Sequence, residues 1–284
     1  MANKRHPTLR AQWLGKLLRD LRESNAMTLK EAGDYIQRNP STLSRFESGD
    51  LPINRADVLS LLNLYGVDGE HQRKALLQLA DEISKTGWWE KYSKDVFQRT
   101  IDYVWLENRA QHIRIFSPFV VPGLLQTREY AYAVVNAGDP PASQQQIERW
   151  VEMRMTRQNI LQGDSPTQLS VILDEATLHR LPGSRESMAR QCRRLAEMAT
   201  RSTVEIRVLP FEAGIYANPD GEFTLIKLPD PFPQVAHIDS AAGMIFLERE
   251  DVTKLTDLYG RLRDKCLSTT ESISFITAKE KDLS

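Results

Sequence analysis

Cysteine is nearly missing from this chain: Cys192 and Cys266 are its only two in 284 residues. They stand far apart and outside any CxxC or Cys/His spacing. That excludes a disulfide framework and a zinc finger, and predicts a reduced, cytoplasmic protein. Histidine is scarce too, five residues scattered along the sequence. Long apolar runs are lacking: nothing approaches the ~20 residues of a membrane span, and the opening MANKRHPTLRAQW has no apolar segment of a signal peptide. Neither sign of charge prevails, with 37 Lys and Arg against 38 Asp and Glu, so the chain is no wholly basic coat for nucleic acid. Gly-rich phosphate loops, nucleophile motifs, internal repeats and low-complexity tracts are also wanting. The expectation is a protein that is not an enzyme, with no catalytic residue, no metal and no cofactor.

What is present is an ordinary globular composition, 41% hydrophobic and 26% charged, in a chain long enough for two domains. Charge is uneven locally. Lys4, Arg5, Arg10, Lys16, Arg19 and Arg22 outnumber Asp20 and Glu23 in the first 25 residues, as a nucleic-acid module on a neutral chain would arrange it. Residues 13–84 read as five consecutive helices. Leu14, Leu17, Leu18 and Leu21 form one apolar stripe, Thr28 with Glu31 makes a capping box, and Asp68 starts the fifth helix. KTGWWEKY, residues 85–92, breaks the pattern and predicts a boundary between domains at 1–84 and 88–284. Beyond it, β-rich runs at 113–116, 169–173, 204–209, 223–228, 234–239 and 244–248 alternate with amphipathic helices at 143–162, 184–200 and 250–267. The fold class expected is an all-α N-terminal domain followed by a larger α+β domain with a mixed sheet.

The stretch NPSTLSRFESGD (39–50) carries the functional argument. Asn39 suits an N-cap, Pro40 the first helical position and Gly49 a left-handed stop, which bounds a helix of about two turns. At about 100° per residue, Leu43, Phe46 and Glu47 share one face, while Ser41, Ser44, Arg45 and Ser48 share the other. One long cation ringed by small hydroxyls allows close approach to a DNA groove, where Arg reaches guanine or phosphate.

Over MTLKEAGDYIQRNPSTLSRFESGD the sequence resembles the helix-turn-helix of the XRE, or phage-repressor-like, family. The resemblance implies a second helix lying in the major groove, with Thr28, Arg38, Asn39, Pro40, Ser41, Thr42, Ser44, Arg45 and Ser48 at or beside the DNA-contacting positions. It also implies that Glu47 pairs with Arg22 on the first helix and that Arg55 grips phosphate. Leu29 stands where many relatives place a DNA-contacting Gln, and Gln37-Arg38 replace their usual Gly and apolar turn residues.

A second distinctive stretch, FVVPGLLQTREYAYAVV (119–135), joins RMTRQNIL, LDEATLHR, VEIRVLPFEAG and GEFTLIKLPD in resembling the C-terminal domain of actinobacterial XRE regulators described as antitoxin-like. Those are often encoded beside a small partner protein. The resemblance implies a transcriptional regulator, a likeness that spans most of 88–280. Partner or ligand contacts are sought in the aromatic cluster Trp88, Trp89, Tyr92, Tyr103 and Trp105, and in Leu124, Leu125 and Tyr130. Asp174, Glu175 and His179 are one approach to a metal site and read more simply as a solvated i,i+4 pair; His237 and Asp239 alternate on one strand, so both side chains face the same way, and no nucleophile motif accompanies them. The function expected is a dimeric, sequence-specific regulator on double-stranded DNA, taking its input from a small protein encoded by a neighbouring gene and having no membrane partner. The alternative is a repressor sensing a small molecule in its C-terminal domain.

Overall fold

A computed structural model describes residues 7–84, 87–138, 141–216, 221–240, 243–248 and 250–284, so Lys4, Arg5, Lys85 and Thr86 fall outside the described residues. The chain forms two compact units, Met1–Trp105 and Leu106–Ser284. Among the described residues no helix is long and apolar enough to cross a membrane.

The first unit is helical: α1 Leu9–Ser24, α2 Leu29–Tyr35, α3 Pro40–Glu47, α4 Arg55–Leu64, α5 Glu70–Ser84, a 3₁₀ turn Trp88–Tyr92 and the start of α6, Gln98–Arg109. Helix α1 begins a turn earlier than the leucine stripe suggests, because Thr8 Oγ1 accepts from the N–H of Ala11 and caps it. Of the expected stripe, Leu14 and Leu18 are fully buried and Leu17 and Leu21 half-buried, and Leu43, Leu61, Leu62 and Leu79 complete the core. Gly15 is what lets α1 meet α3: a Cβ there would lie 2.4 Å from the Phe46 carbonyl oxygen and 2.5 Å from that of Glu47.

The division between units falls within α6, well past the break at 85–92, and the reason is packing. Trp105 stands edge-on to Trp13 at 5.8 Å and donates its indole N–H to Glu82 at 2.9 Å. Asp102, also on α6, is buried and accepts the N–H of Leu9 at the start of α1. Burial is the main reason its carboxyl is pushed up to about 6; the Leu9 and Gln98 hydrogen bonds oppose this. A carboxyl raised in the folded state binds more protons than the unfolded chain between its ordinary ~3.9 and about 6. Stability therefore falls as pH rises through that window. Asp102→Asn is expected to stabilise this unit by up to about 3 kcal/mol above that window, and to confer nothing below about pH 4; urea titrations across pH read the difference.

The second unit is α+β. Its strands are β1 His112–Ser117, β2 Gln168–Asp174, β3 Val204–Leu209, β4 Phe223–Lys227, β5 Val235–Ser240 and β6 Gly243–Leu247, in the order β3-β2-β1-β4-β5-β6. β1, β2 and β3 are parallel, and β4, β5 and β6 form an antiparallel meander joined to β1. The mixed sheet is as expected, each strand within a residue or two of its apolar run. Helices α7 Arg128–Gly138 and α8 Gln144–Arg157 connect β1 to β2. The short α9 Glu175–His179 and α10 Arg185–Met198 connect β2 to β3, and α11 Glu250–Arg263 and α12 Thr269–Leu283 close the chain. One sheet face packs Phe116, Ile172, Leu209, Phe223 and Leu225 on Val252, Leu258 and Leu262 of α11. Helix α12 lacks an apolar stripe in the sequence, yet it starts on a Ser268–Glu271 capping box and Ser272 Oγ accepts the N–H of Val208 on β3.

Candidate nucleic-acid interface

Helices α2 and α3 form the helix-turn-helix, and local chemistry sets each boundary. Thr28 caps α2, its hydroxyl accepting from the Glu31 N–H at 3.2 Å while the Glu31 carboxylate accepts the Thr28 N–H at 2.8 Å. The hydrogen bonds that the Thr28 N–H and then its hydroxyl donate to the Glu31 carboxylate hold that carboxyl below its ordinary range. The turn passes through Gln37 at φ +56°, the left-handed conformation that explains why relatives place Gly there. Asn39 then caps α3, its side-chain oxygen accepting from the Thr42 N–H at 2.7 Å, with Pro40 in the first turn. Gly49, at φ +78° and with backbone of Gln12 where a Cβ would go, ends the segment.

The orientation of α3 is fixed from below by charge. Arg22 donates from Nε to Glu47 Oε1 at 2.7 Å and from Nη2 to Oε2 at 3.0 Å, with both side chains buried. Its Nη1 donates to the Met27 carbonyl at 2.8 Å, tying in the start of the turn. The hydrogen bonds it donates to Glu47 raise the already basic Arg22 further. Arg19 stands 3.6 Å from the same carboxylate, a support the sequence did not disclose.

With Leu43 and Phe46 buried, α3 shows the opposite face: Ser41, Arg45 and Ser48 are exposed, and Thr42 and Ser44 half-buried. Among the described residues no carboxylate pairs with Arg45, while Ser48 donates to Asp50 at 2.6 Å. Two further cations are held at the rim by carboxylates. Arg38 meets Asp57 at 3.2 Å and Arg55 meets Asp81 at 2.8 Å, their side chains 44% and 54% exposed. The structure thus brings Arg38, Asn39, Pro40, Ser41, Thr42, Ser44, Arg45 and Ser48 into one turn-and-helix segment, with Thr28 at the start of α2 and Arg55 at the start of α4.

The structure buries most of the aromatic and loop candidates. Tyr92, Tyr103 and Trp105 are buried, and Trp88 and Trp89 are half-buried, stacked edge-on at 5.8 Å. The cluster packs the end of the first unit instead of lining a surface. Leu124, Leu125 and Tyr130 are also buried, so a partner cannot touch them in the folded chain. Their segment is a loop stapled by side chains. Tyr130 Oη accepts the Val121 N–H at 3.0 Å, and Gln126 donates to the Val121 carbonyl at 2.6 Å. Gln158 donates to the carbonyls of Gly123 and Gln126, and Gln191 to that of Leu125. His179 bonds Glu175 at 3.2 Å and Lys279 at 3.1 Å, while Asp174 caps α9. Among the described residues no three His, Cys, Asp or Glu side chains converge as a metal site requires.

Comparison with known families gives two matches. Residues 13–76 match a family model described as a helix-turn-helix domain, and residues 100–278 match one described as a domain of unknown function (DUF5753). Searches of curated proteins and of solved structures give no match.

Proposed function

We propose, from the premise that this chain belongs to the DUF5753 family and carries a helix-turn-helix domain ahead of that region, that it is a dimeric, sequence-specific transcriptional regulator of the XRE type. The observation that carries the reading is the Arg45 face of α3: an exposed guanidinium without a carboxylate, flanked by small hydroxyls, on a helix anchored by the Arg22–Glu47 pair. Arg45, Ser41 and Ser44 would meet base edges or nearby phosphates in the major groove, and Thr28, Arg38, Asn39, Thr42, Ser48 and Arg55 would position the domain on the backbone. A helix this short gains useful affinity from two copies, which favours a dimer on half-sites about 34 Å apart. The reading is of a binding protein in the cytoplasm, with no catalytic role assigned.

Arg45→Ala is expected to weaken binding to the operator by about 1–3 kcal/mol with much less effect on random DNA, whereas Arg55→Ala weakens both alike. Fluorescence anisotropy on the two duplexes at fixed salt separates them. Equal losses on both duplexes for Arg45→Ala would remove it as a base reader.

The second unit is proposed as the input domain. Antitoxin-like pairing with a small protein from a neighbouring gene is supported by exposed apolar residues on loops after β1 and β3: Phe119 at 52%, Phe211 at 57% and Ile215 at 98% exposure. Co-expression with that gene product, comparing the wild type with Phe211→Asp and Ile215→Asp, tests it.

A further inference from the structure

The turn between α2 and α3 carries an arginine that is fixed at both ends. The Arg38 N–H donates to the Gly33 carbonyl at 2.9 Å. A Cβ at residue 33 would stand 2.7 Å from the Arg38 carbonyl oxygen, so glycine there is what lets the turn close this tightly. At the far end of the side chain, Nε and Nη2 of Arg38 both donate to Asp57 Oδ2, each at 3.2 Å. Asp57 is itself held. It lies in the first turn of α4, where Asn54 Oδ1 accepts its N–H at 2.8 Å and Asn54 Nδ2 donates to the same Oδ2 at 3.0 Å. Its side chain is only 13% exposed, so the carboxylate is no freely moving surface charge.

The way the guanidinium is gripped decides which part of it remains for a ligand. A guanidinium offers paired donors along two edges, the side edge of Nε with Nη2 and the end edge of Nη1 with Nη2. Asp57 takes the side edge. The end edge stays open: among the described residues Nη1 of Arg38 has no partner, and the side chain is 44% exposed. Arg38 stands one residue ahead of Asn39, the cap of α3. The open edge is therefore carried at the N-terminal end of the helix that a helix-turn-helix lays in the major groove. A long side chain left loose gives up rotamer freedom when it binds; one already clamped does not.

We propose that Asp57 is a positioning residue for DNA binding: it holds Arg38 by the side edge so that the end edge meets a backbone phosphate of the duplex. Asn54 steadies the carboxylate from behind. The proposal rests on the reading of α3 as a recognition helix and deepens it. Phosphate contacts set the register of a protein on duplex DNA, so an acidic residue that never touches DNA helps to decide where Arg45 falls. Its signature is the sign of the effect. On charge alone, a carboxylate beside a phosphate-binding face repels the duplex, and its removal tightens binding. Positioning demands the opposite.

Two measurements on the full chain test this. The first needs no DNA, so its failure is distinct from a failure of DNA recognition. NMR relaxation of the arginine Nε–H groups should show Arg38 ordered on the ps–ns timescale and Arg45 mobile. An Arg38 as mobile as Arg45 overturns the proposal. The second is fluorescence anisotropy at fixed salt on operator and random duplexes, with Asp57→Ala made alone and in an Arg38→Ala background. Alone, Asp57→Ala is expected to weaken binding to both duplexes about threefold or more. In the Arg38→Ala background the same replacement should leave affinity unchanged or raise it. An equal loss in both backgrounds would make Asp57 merely structural, and tighter binding in both would make it only a repelling charge; either result overturns the proposal. A loss confined to the operator would overturn the assignment to phosphate. If wild type binds neither duplex, the proposal falls together with the reading it rests on. Should Asp57→Ala not fold, the relaxation measurement, which needs no variant, decides.

Discussion

Glu47→Ala is expected to destabilise the first unit by about 3–5 kcal/mol, the cost of leaving a buried charge without its partner. Arg22 would keep its hydrogen bond to Met27 but lose the two that α3 provides, in a site where both side chains are nearly inaccessible. Arg22→Ala strands Glu47 in the same way, with Arg19 at 3.6 Å the one other cation paired to it among the described residues. Hydrogen exchange in the full chain, read on peptides from α1 and α3, should show protection falling in both single variants. A double replacement by apolar residues of similar volume, Arg22→Met with Glu47→Leu, should restore most of that protection. Since the pair sets the direction α3 faces, the single variants should lose affinity for operator and random duplex together. If the double variant were no more protected than the single ones, the pair would be fixing more than charge.

The second large effect is expected at Arg157 and Glu107. Glu107 has a fully buried side chain held by two 2.7 Å bonds from Arg157. Arg157→Ala should cost the second unit about 3–5 kcal/mol for the same reason. Glu107→Gln should cost less, because the amide oxygen still accepts one of the two bonds and the charge left unpaired is that of Arg157, the more exposed side chain of the two. Exchange protection of β1, β4 and β5 reads both. The order of the two losses reports how far burial of the stranded charge sets the cost: equal losses would show that it does not.

How legible this molecule was from its residues depends on how far each signal had to travel along the chain. Strands such as VEIRVL and FTLIKL are short β-branched or aromatic runs between turns, and they form where expected because such runs need only one apolar face to find. The recognition helix was equally local: Asn39, Pro40, Leu43, Phe46 and Gly49 specify a cap, a stripe and a stop within eleven residues. Helix α12 was not visible, since Thr269, Thr270, Ile273 and Ile276 blur its period and contacts with α10 and β3 secure it. The aromatic cluster misled for a related reason. Trp105 is buried by Trp13, ninety-two positions away, and nothing in WWEKY or YVWLENR records that.

The central claim is that the Arg45 face of α3 reads duplex DNA. Its most direct test is to select binding sequences from random duplexes with the full chain, then measure affinity for the selected site and for a scrambled one across a range of salt. The account predicts a two-fold related pair of half-sites about one helical turn apart, bound roughly 10³-fold or more tighter than the scramble near physiological salt, with affinity for both falling steeply as salt rises. Equal affinity for selected and scrambled duplexes, or no binding to either at low salt, would contradict it.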